Sequence, residues 1–246
     1  MYTYRLTLSY DGSRYNGWQK QGNTPNTIQE KLETLLSRLI GEPIEANGSG
    51  RTDAGVHATG QVVSFRTTAK QDPQQLLRDI RRYLPDDIGA MALTEAEPRF
   101  HARLNAVGKT YVYRVWVGDT PNVFERKYLY NIPDIPNLAR MQQAAQLLTG
   151  THDFMSFCAN KRMKKSTVRT VESIEILQLG HELRFVVSGD GFLYNMVRIL
   201  VGTLLEVGLG KRAPDSMPAL LEAKDRSLAG YLVPPHGLRL EEVYYE

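Results

Sequence analysis

The order of hydrophobic and polar residues divides the chain into short strands and helices. Residues 2–10 alternate apolar and polar side chains, which is the pattern of a strand with one buried face. Further strands are predicted at 61–65, 88–93, 111–117, 168–177, 183–188 and 240–245. Apolar residues spaced three and four apart predict helices at 27–41, 72–83, 138–148 and 193–207. Residues 1–105 and 106–246 thus each combine strands with about two helices, which permits two similar lobes with a cleft between them.

Local signals mark where two of these helices begin and end. Thr27 stands three residues before Glu30, the spacing at which a side chain caps a helix N-terminus. Gly41 ends the same helix, because glycine readily adopts the left-handed conformation found after a last turn. Gly150 is predicted to cap the helix at 138–148. The segment 121–136 is rich in loop-forming residues and is a candidate for the boundary between the lobes.

The predicted helix at 193–207 is apolar on nearly every side, so we expect it to be buried. Arg198 lies in its middle, and a buried guanidinium needs a carboxylate or an equivalent partner, because desolvating the charge alone costs several kcal/mol. Its own helix offers only Glu206, and the preceding loop offers Asp190. The sequence therefore marks Arg198 as a residue that needs a partner from elsewhere.

The cysteine content, the N-terminal residues and the lengths of the apolar runs indicate the cellular compartment in which the protein is expected. A single cysteine, Cys158, excludes an internal disulfide and a cysteine-based zinc site, which fits a reducing compartment. Cys158 itself is expected to be a packing residue. The first residues lack the apolar core of a signal peptide, and no run of about 20 uncharged residues predicts a membrane helix. We therefore expect a cytoplasmic protein without a membrane partner.

Basic residues are concentrated in two places, although the net charge is only +3. The densest run is Lys161, Arg162, Met163, Lys164 and Lys165. The second group lies on one side of the helix at 72–83 and comprises Arg78, Arg81 and Arg82. Such groups are usually solvated protein surface, but they also suit contact with a phosphate backbone.

The stretch 48–65 holds the strongest candidate for chemistry. Four glycines surround Arg51 and Asp53 just before the strand at 61–65, so an acidic side chain lies on a tight loop held against a sheet. Asp53 either serves only to turn the chain or takes part in a reaction. The stretch has neither the lysine of a phosphate-binding loop nor the glycine spacing of a dinucleotide loop. A metal site at Asp53 and His57 would lack further ligands nearby.

The nonapeptide Gly50-Arg51-Thr52-Asp53-Ala54-Gly55-Val56-His57-Ala58 resembles the signature of the tRNA pseudouridine synthase A family. Other segments resemble that family along nearly the whole chain: 11–21, 100–103, 109–113, 151–157, 196–202, 226–230 and 234–238. Residues 11–21 are interpreted as a turn with exposed aromatic side chains, the alternative being a loop that packs on the core. The chain departs from the family at Val233, where members usually carry a small residue.

The resemblance implies an α+β fold of two similar lobes, with mixed, mostly antiparallel sheet, helices packed on one side and a central cleft. The first lobe, 1–105, would carry the catalytic loop, and the second, 106–246, would carry Tyr111 and Arg198. The resemblance also implies a homodimer that converts uridine to pseudouridine at positions 38, 39 and 40 of the tRNA anticodon stem-loop. It implies no metal, nucleotide or other cofactor.

Site roles also follow from the resemblance. Asp53 would be the covalent nucleophile, Arg198 its ionic partner, and Tyr111 the aromatic residue facing the target base and a possible base catalyst. An aspartate is ionised at pH 7, since its ordinary pKa is about 3.9. The expected substrate contacts are Tyr111, Arg51, His57, Lys161, Arg162, Lys164, Lys165, Arg78 and Arg82. His152, in the segment 151–157, is given no catalytic role.

Two other classes of function stay open on the residues alone. The basic surfaces would also serve an RNA-binding module without catalysis, although such a module has no need of a carboxylate in the path of an anionic ligand. A hydrolase using Asp53 and His57 is the other class, and it lacks a convincing nucleophile or metal.

Overall fold

The computed structural model describes residues 1–160 and 163–246 and divides them into two compact units. Unit 1 comprises 1–107 together with 239–246, and unit 2 comprises 108–238. The predicted second lobe, 106–246, includes 239–246, whereas in the structure these residues belong to unit 1, where Arg239 and Leu240 pair with His57 and Ala58. Two of the expected RNA contacts, Lys161 and Arg162, lie outside the described residues.

Ten strands and five α-helices are present in the described residues. The strands are β1 (Tyr2–Tyr10), β2 (Asn47–Gly48), β3 (His57–Thr67), β4 (Ile88–Ala96), β5 (Ala106–Val117), β6 (Tyr130–Ile132), β7 (Gly150–Asp153), β8 (Val168–Leu179), β9 (Glu182–Gly189) and β10 (Leu238–Tyr245). The helices are α1 (Ile28–Ile40), α2 (Pro73–Tyr83), α3 (Leu138–Gln146), α4 (Met196–Gly208) and α5 (Met217–Ala223). This set of strands and helices confirms the predicted α+β class.

The sheet of unit 1 has the strand order β4-β1-β3-β10. β1 pairs antiparallel with both β3 and β4, whereas β10 runs parallel to β3 through Arg239 opposite His57 and Leu240 opposite Ala58. On one face of β1 the side chains from Tyr4 to Tyr10 are buried, as the alternating pattern predicts, and α1 also buries its apolar face. The largest members of this core include Tyr4, Leu6, Leu8, Phe65, Ile28, Leu32, Leu36 and Ile80.

The predicted helix signals in unit 1 are confirmed. The Thr27 hydroxyl accepts a hydrogen bond from the Glu30 backbone N–H at 3.3 Å, so α1 begins at the expected residue. α1 ends at Gly41, whose φ of 82° is left-handed. The Asp72 carboxylate caps α2 by accepting from the Gln74 N–H at 2.9 Å.

The sheet of unit 2 has the strand order β5-β9-β8-β7, with each of these neighbours antiparallel. β6 is added in parallel to β5. Every residue of α4 except Glu206 is buried, which confirms the expectation from its uniformly apolar sequence. The sheets are thus mixed and mostly antiparallel, as predicted.

Two boundaries in unit 2 differ from the prediction. α3 ends at Gln146, so Gly150, with φ of 103°, begins β7 instead of capping the helix. α4 begins at Met196 and not at residue 193, because Asn195 is left-handed and interrupts the helix there. The loop-rich segment 121–136 also contains the short strand β6. In the part of the chain that the structure describes, no helix is both long and apolar enough to cross a membrane.

Candidate active site

Asp53 lies in a tight turn that joins the glycine-rich segment 48–50 to β3. The Val56 N–H donates to the Asp53 carbonyl oxygen at 3.1 Å, and Gly55 has φ of 78°, which a side chain would strain. The turn therefore fixes the backbone of Asp53 in unit 1 and leaves the residue partly accessible. Arg51, two residues earlier, is exposed.

The segment 11–18 packs directly on this turn. The Trp18 N–H donates to the Thr52 carbonyl oxygen at 3.0 Å. At Gly12 the approach is so close that a Cβ would lie 2.0 Å from the Val56 carbonyl oxygen, so only glycine fits. The aromatic residues Tyr15 and Trp18 are buried, so the interpretation of them as exposed is wrong and the packing alternative is confirmed.

Tyr15 and Arg14 connect this segment to the start of β4. The Tyr15 hydroxyl donates to Asp87 at 2.6 Å, and the Arg14 guanidinium forms an ion pair with the same carboxylate. Asp87 accepts from both side chains, which lowers the pKa of its carboxyl group in spite of partial burial. Asp87 therefore stays ionised and holds the segment 11–18 in place.

His57 begins β3 and is buried. Its Nδ1 atom accepts from the Gly12 N–H at 3.0 Å and lies 3.2 Å from an Asp11 carboxylate oxygen. These contacts tie β3 to the segment 11–18. The predicted contact of His57 with substrate stays a prediction.

A buried hydrogen-bond network lies beneath the loop, and sequence reasoning missed it. Tyr10 shares a hydrogen bond of 2.8 Å with the Thr52 hydroxyl, and the Gln61 amide nitrogen donates to Tyr10 Oη at 3.3 Å and to the Gly50 carbonyl oxygen at 3.0 Å. The Ser49 hydroxyl donates to the Gln61 amide oxygen at 2.6 Å. The available signal was a polar glutamine at a position of β3 that the alternation assigns to the core.

Tyr111 lies on β5 in unit 2 and is nearly buried. Its ring meets the Phe192 ring edge to face, with centroids 5.3 Å apart. Tyr113, on the same face, is fully buried, and its hydroxyl donates to the Pro234 carbonyl oxygen at 2.8 Å. Burial raises the pKa of Tyr113 well above its ordinary range, so this tyrosine is a core residue and remains protonated.

Arg198 is buried in α4, as predicted, and its guanidinium is held by polar groups of unit 2. Nε donates to the Val233 carbonyl oxygen at 2.8 Å, and Nη1 donates to the Asn195 side-chain oxygen at 2.8 Å. The two acidic residues considered from sequence are engaged elsewhere, since Glu206 forms an ion pair with Arg212 and Asp190 accepts from the Thr170 N–H. The expected pairing of Arg198 with Asp53 stays a prediction.

His236 also belongs to the surroundings of Arg198, and sequence reasoning gave it no role. Burial lowers the pKa of His236, and the positive charge of Arg198 lowers it further. The imidazole is therefore neutral at pH 7. Its place in the segment 234–238, which resembles the family, was the available signal.

Four of the predicted basic contacts with RNA are exposed: Lys164, Lys165, Arg78 and Arg82. Lys164 and Lys165 lie on the loop between β7 and β8, and Arg78 and Arg82 lie on α2. The Arg78 guanidinium donates to the Gln75 side-chain oxygen at 2.6 Å, and the Arg81 guanidinium donates to two carbonyl oxygens of β4. Arg82 lies 5.6 Å from the ring centroid of the exposed Tyr83. Among the described residues, no group of three or more His, Cys, Asp or Glu is arranged to hold a metal ion.

Comparison with known families matches 7–105 and 144–246 to the model described as tRNA pseudouridine synthase. "tRNA pseudouridine synthase A" of Bacillus sp. (strain KSM-64) is 46% identical over 245 residues, with 100% of both chains covered. The chain belongs to the tRNA pseudouridine synthase A family.

Other members of the tRNA pseudouridine synthase A family also match this chain over its full length. "tRNA pseudouridine synthase A 2" of Bacillus cereus (strain ZK / E33L) is 44% identical with 100% of both chains covered. The Exiguobacterium sibiricum protein "tRNA pseudouridine synthase A" is 45% identical, with 100% of this chain and 97% of that protein covered. A solved structure, "Crystal Structure of a Cbf5-Nop10-Gar1 Complex", aligns with 96% of this chain and 48% of its own chain, at 14% identity and a TM-score of 0.40.

The matched ranges cover two of the three predicted catalytic residues. Asp53 falls in the first matched range, 7–105, and Arg198 in the second, 144–246. Tyr111 lies between the two ranges and is covered by the full-length matches to individual tRNA pseudouridine synthase A proteins. The likeness to these proteins therefore extends over all three residues.

Proposed function

We propose that this chain isomerises uridine to pseudouridine at positions 38, 39 and 40 of the tRNA anticodon stem-loop, with Asp53 as the covalent nucleophile. Membership of the family gives the reaction class. The observation that supports Asp53 is the turn at 53–56, where a partly accessible carboxylate is carried on a backbone bound from several sides. Such fixed geometry is what a nucleophile needs.

The reaction rearranges the atoms of one nucleoside. The bond from uracil N1 to ribose C1′ breaks, a bond from C5 to C1′ forms, and a proton leaves C5 while N1 gains one. The Asp53 carboxylate would form a covalent bond with the nucleotide at C1′ or C6, so that the base can turn before it is reattached. Because the product contains the same atoms as the substrate, the chemistry requires no cosubstrate.

Tyr111 and Arg198 are proposed to complete the site. A target base inside an RNA stem has to leave its stack to reach the loop, and an aromatic ring compensates for the lost stacking. Tyr111 would supply that ring, and its hydroxyl group would help to remove the proton from C5 of the uracil. The Arg198 guanidinium would keep the Asp53 carboxylate ionised and oriented.

The exposed basic residues are proposed to bind the tRNA backbone. Arg51 and His57 would contact the target nucleotide, the loop residues Lys161, Arg162, Lys164 and Lys165 would bind phosphates, and α2 would contribute Arg78 and Arg82. The exposure of the two α2 arginines supports this role. We also propose that the protein acts in the cytoplasm as a homodimer.

Replacing Lys164 and Lys165 together with alanine should weaken tRNA binding and reduce its salt dependence. Each lost phosphate contact lowers the slope of log K against log salt by about 0.9 in double-stranded regions. The double variant should therefore lose up to about 1.8 from the slope, measured by filter binding between 50 and 300 mM salt. A matched control, Lys70→Ala with Lys211→Ala, removes the same charge and should keep the wild-type slope. An equal slope in both double variants would remove the loop from the RNA interface.

The decisive test of the proposed function uses an unmodified tRNA transcript with uridine at 38, 39 and 40. The protein is incubated with the transcript in EDTA, and pseudouridine is mapped by carbodiimide treatment and primer extension. We expect stops at those three positions only. Stops elsewhere would overturn the assigned region, and binding without any stop would overturn the activity.

A further inference from the structure

The loop that carries Asp53 is held from inside unit 1 by side chains that do not reach the solvent. We propose that Tyr10 and Gln61 are positioning residues for the reaction, because their buried hydrogen bonds to Thr52 and Gly50 place the Asp53 backbone. The inference rests on the proposed role of Asp53. It assigns a function to two residues that the motif at 50–58 does not include.

Gln61 uses every hydrogen-bonding group of its side-chain amide. The nitrogen donates one proton to the Gly50 carbonyl oxygen at 3.0 Å and the other to Tyr10 Oη at 3.3 Å, and the oxygen accepts from the Ser49 hydroxyl at 2.6 Å. Only one orientation of the amide satisfies all three contacts. Gln61 therefore fixes the loop residues Ser49 and Gly50 relative to β3.

Tyr10 extends this network to the residue before Asp53. Its hydroxyl accepts from Gln61 and shares a hydrogen bond of 2.8 Å with the Thr52 hydroxyl. Burial raises the pKa of Tyr10 to about 12, so the phenol stays protonated at the pH at which enzymes work. Tyr10 and Gln61 come from neighbouring strands, β1 and β3, so the sheet itself sets where the loop lies.

The burial of the network makes it stiff. Gln61 and Ser49 are fully buried, and Tyr10 and Thr52 expose 4% and 6% of their surface. Water cannot easily replace a lost partner at such sites, so a missing hydroxyl must be compensated by movement of the loop. A shift of about 1 Å at a reacting group can cost about 100-fold in rate. Because the Thr52 carbonyl oxygen also accepts from the Trp18 N–H at 3.0 Å, the loop has little freedom while the network is intact.

The test compares Tyr10→Phe with Tyr4→Phe. Both tyrosines lie on the buried face of β1, and each loses one hydroxyl and its hydrogen bonds. Tyr4 binds the backbone of Gln71, remote in sequence from the Asp53 loop, by accepting from the N–H at 2.7 Å and donating to the carbonyl oxygen at 3.2 Å. Both variants should therefore lower Tm by about 2–6 °C, and only their effects on catalysis should differ.

For Tyr10→Phe we expect kcat to fall at least about 10-fold while the Kd for tRNA stays within about two-fold, measured well below Tm. Tyr4→Phe should keep kcat within about two-fold. Thr52→Val should also lower kcat, and the double variant should be no slower than Tyr10→Phe, because Tyr10→Phe already removes the contact with the Thr52 hydroxyl. Equal kcat values for Tyr10→Phe and Tyr4→Phe would overturn the proposal, as would additive losses in the double variant.

The outcome is separable from the role of Asp53. If Asp53→Asn is inactive and Tyr10→Phe keeps full kcat, Asp53 stands and the positioning role fails. If Asp53→Asn stays active, Asp53 is not the nucleophile, and the proposal that Tyr10 and Gln61 position it for the reaction is overturned as well. Should Tyr10→Phe not fold, Thr52→Val carries the same comparison alone.

Discussion

Asp53→Asn should remove essentially all pseudouridine formation, with a fall in kcat of at least about 10⁴-fold. Asparagine has nearly the volume of aspartate and leaves the hydrogen bond from the Val56 N–H to the Asp53 carbonyl oxygen intact. The turn should therefore survive the exchange. What is lost is the negative charge and the nucleophilic oxygen, because a neutral amide does not form the covalent bond that the reaction requires.

The measurement is single-turnover pseudouridine formation with enzyme in excess over tRNA. Asp53→Ala should give the same result and guards against slow conversion of asparagine back to aspartate. The Kd for tRNA should stay within a few-fold in both variants. Retention of measurable turnover by Asp53→Ala would exclude Asp53 as the nucleophile, and a large loss of binding would place its role in recognition.

Arg198→Met should lower kcat by about 100-fold to 1,000-fold, the range found when one preorganised donor of an active site is removed. Methionine fills the space of the aliphatic part of the arginine. It leaves the Val233 carbonyl oxygen and the Asn195 side-chain oxygen without their donor, which should cost about 1–3 kcal/mol of the free energy of unfolding. We expect the loss in activity to exceed the loss in stability because the proposed partner of the guanidinium is Asp53.

Arg114→Met is the matched control, since Arg114 is another largely buried arginine of unit 2. Its guanidinium binds Glu182 at 2.8 Å and Glu125 at 3.2 Å, in an ion-pair network with no proposed contact to substrate. This variant should lose stability but keep kcat within about three-fold. If Arg198→Met behaves in the same way as Arg114→Met in kcat and in Tm, Arg198 is a structural residue.

The sequence predicted correctly those structural elements that depend on residues close to each other along the chain. The cap at Thr27, the left-handed Gly41 and the alternation along β1 were all confirmed, because each depends on contacts between sequence neighbours. β6 was not predicted, since its three residues become a strand only by pairing with β5. The end of α3 was misplaced because a glycine after a helix serves equally well to begin a strand.

The site was predicted in the same uneven way. The nonapeptide at 50–58 identified the loop of Asp53, and the apolar helix identified Arg198 as a buried charge. The hydrogen bonds among Tyr10, Thr52 and Gln61 join residues 42 and 51 positions apart, and no local pattern predicts which polar groups meet across two strands. Sequence reasoning therefore identified the Asp53 loop and the buried charge of Arg198, but not the side chains that hold the loop.

The parallel pairing of β10 with β3 has a consequence for synthesis on the ribosome. Residues 1–107 leave the ribosome before 108–238, and 239–246 follow only afterwards. Until then, one edge of β3 is uncovered at His57 and Ala58, directly after the Asp53 turn. The nascent first unit therefore lacks the strand β10 until the whole second unit has been translated. A chain interrupted before residue 239 would carry the motif at 50–58 and still lack β10, the strand that pairs with β3 directly after the Asp53 turn.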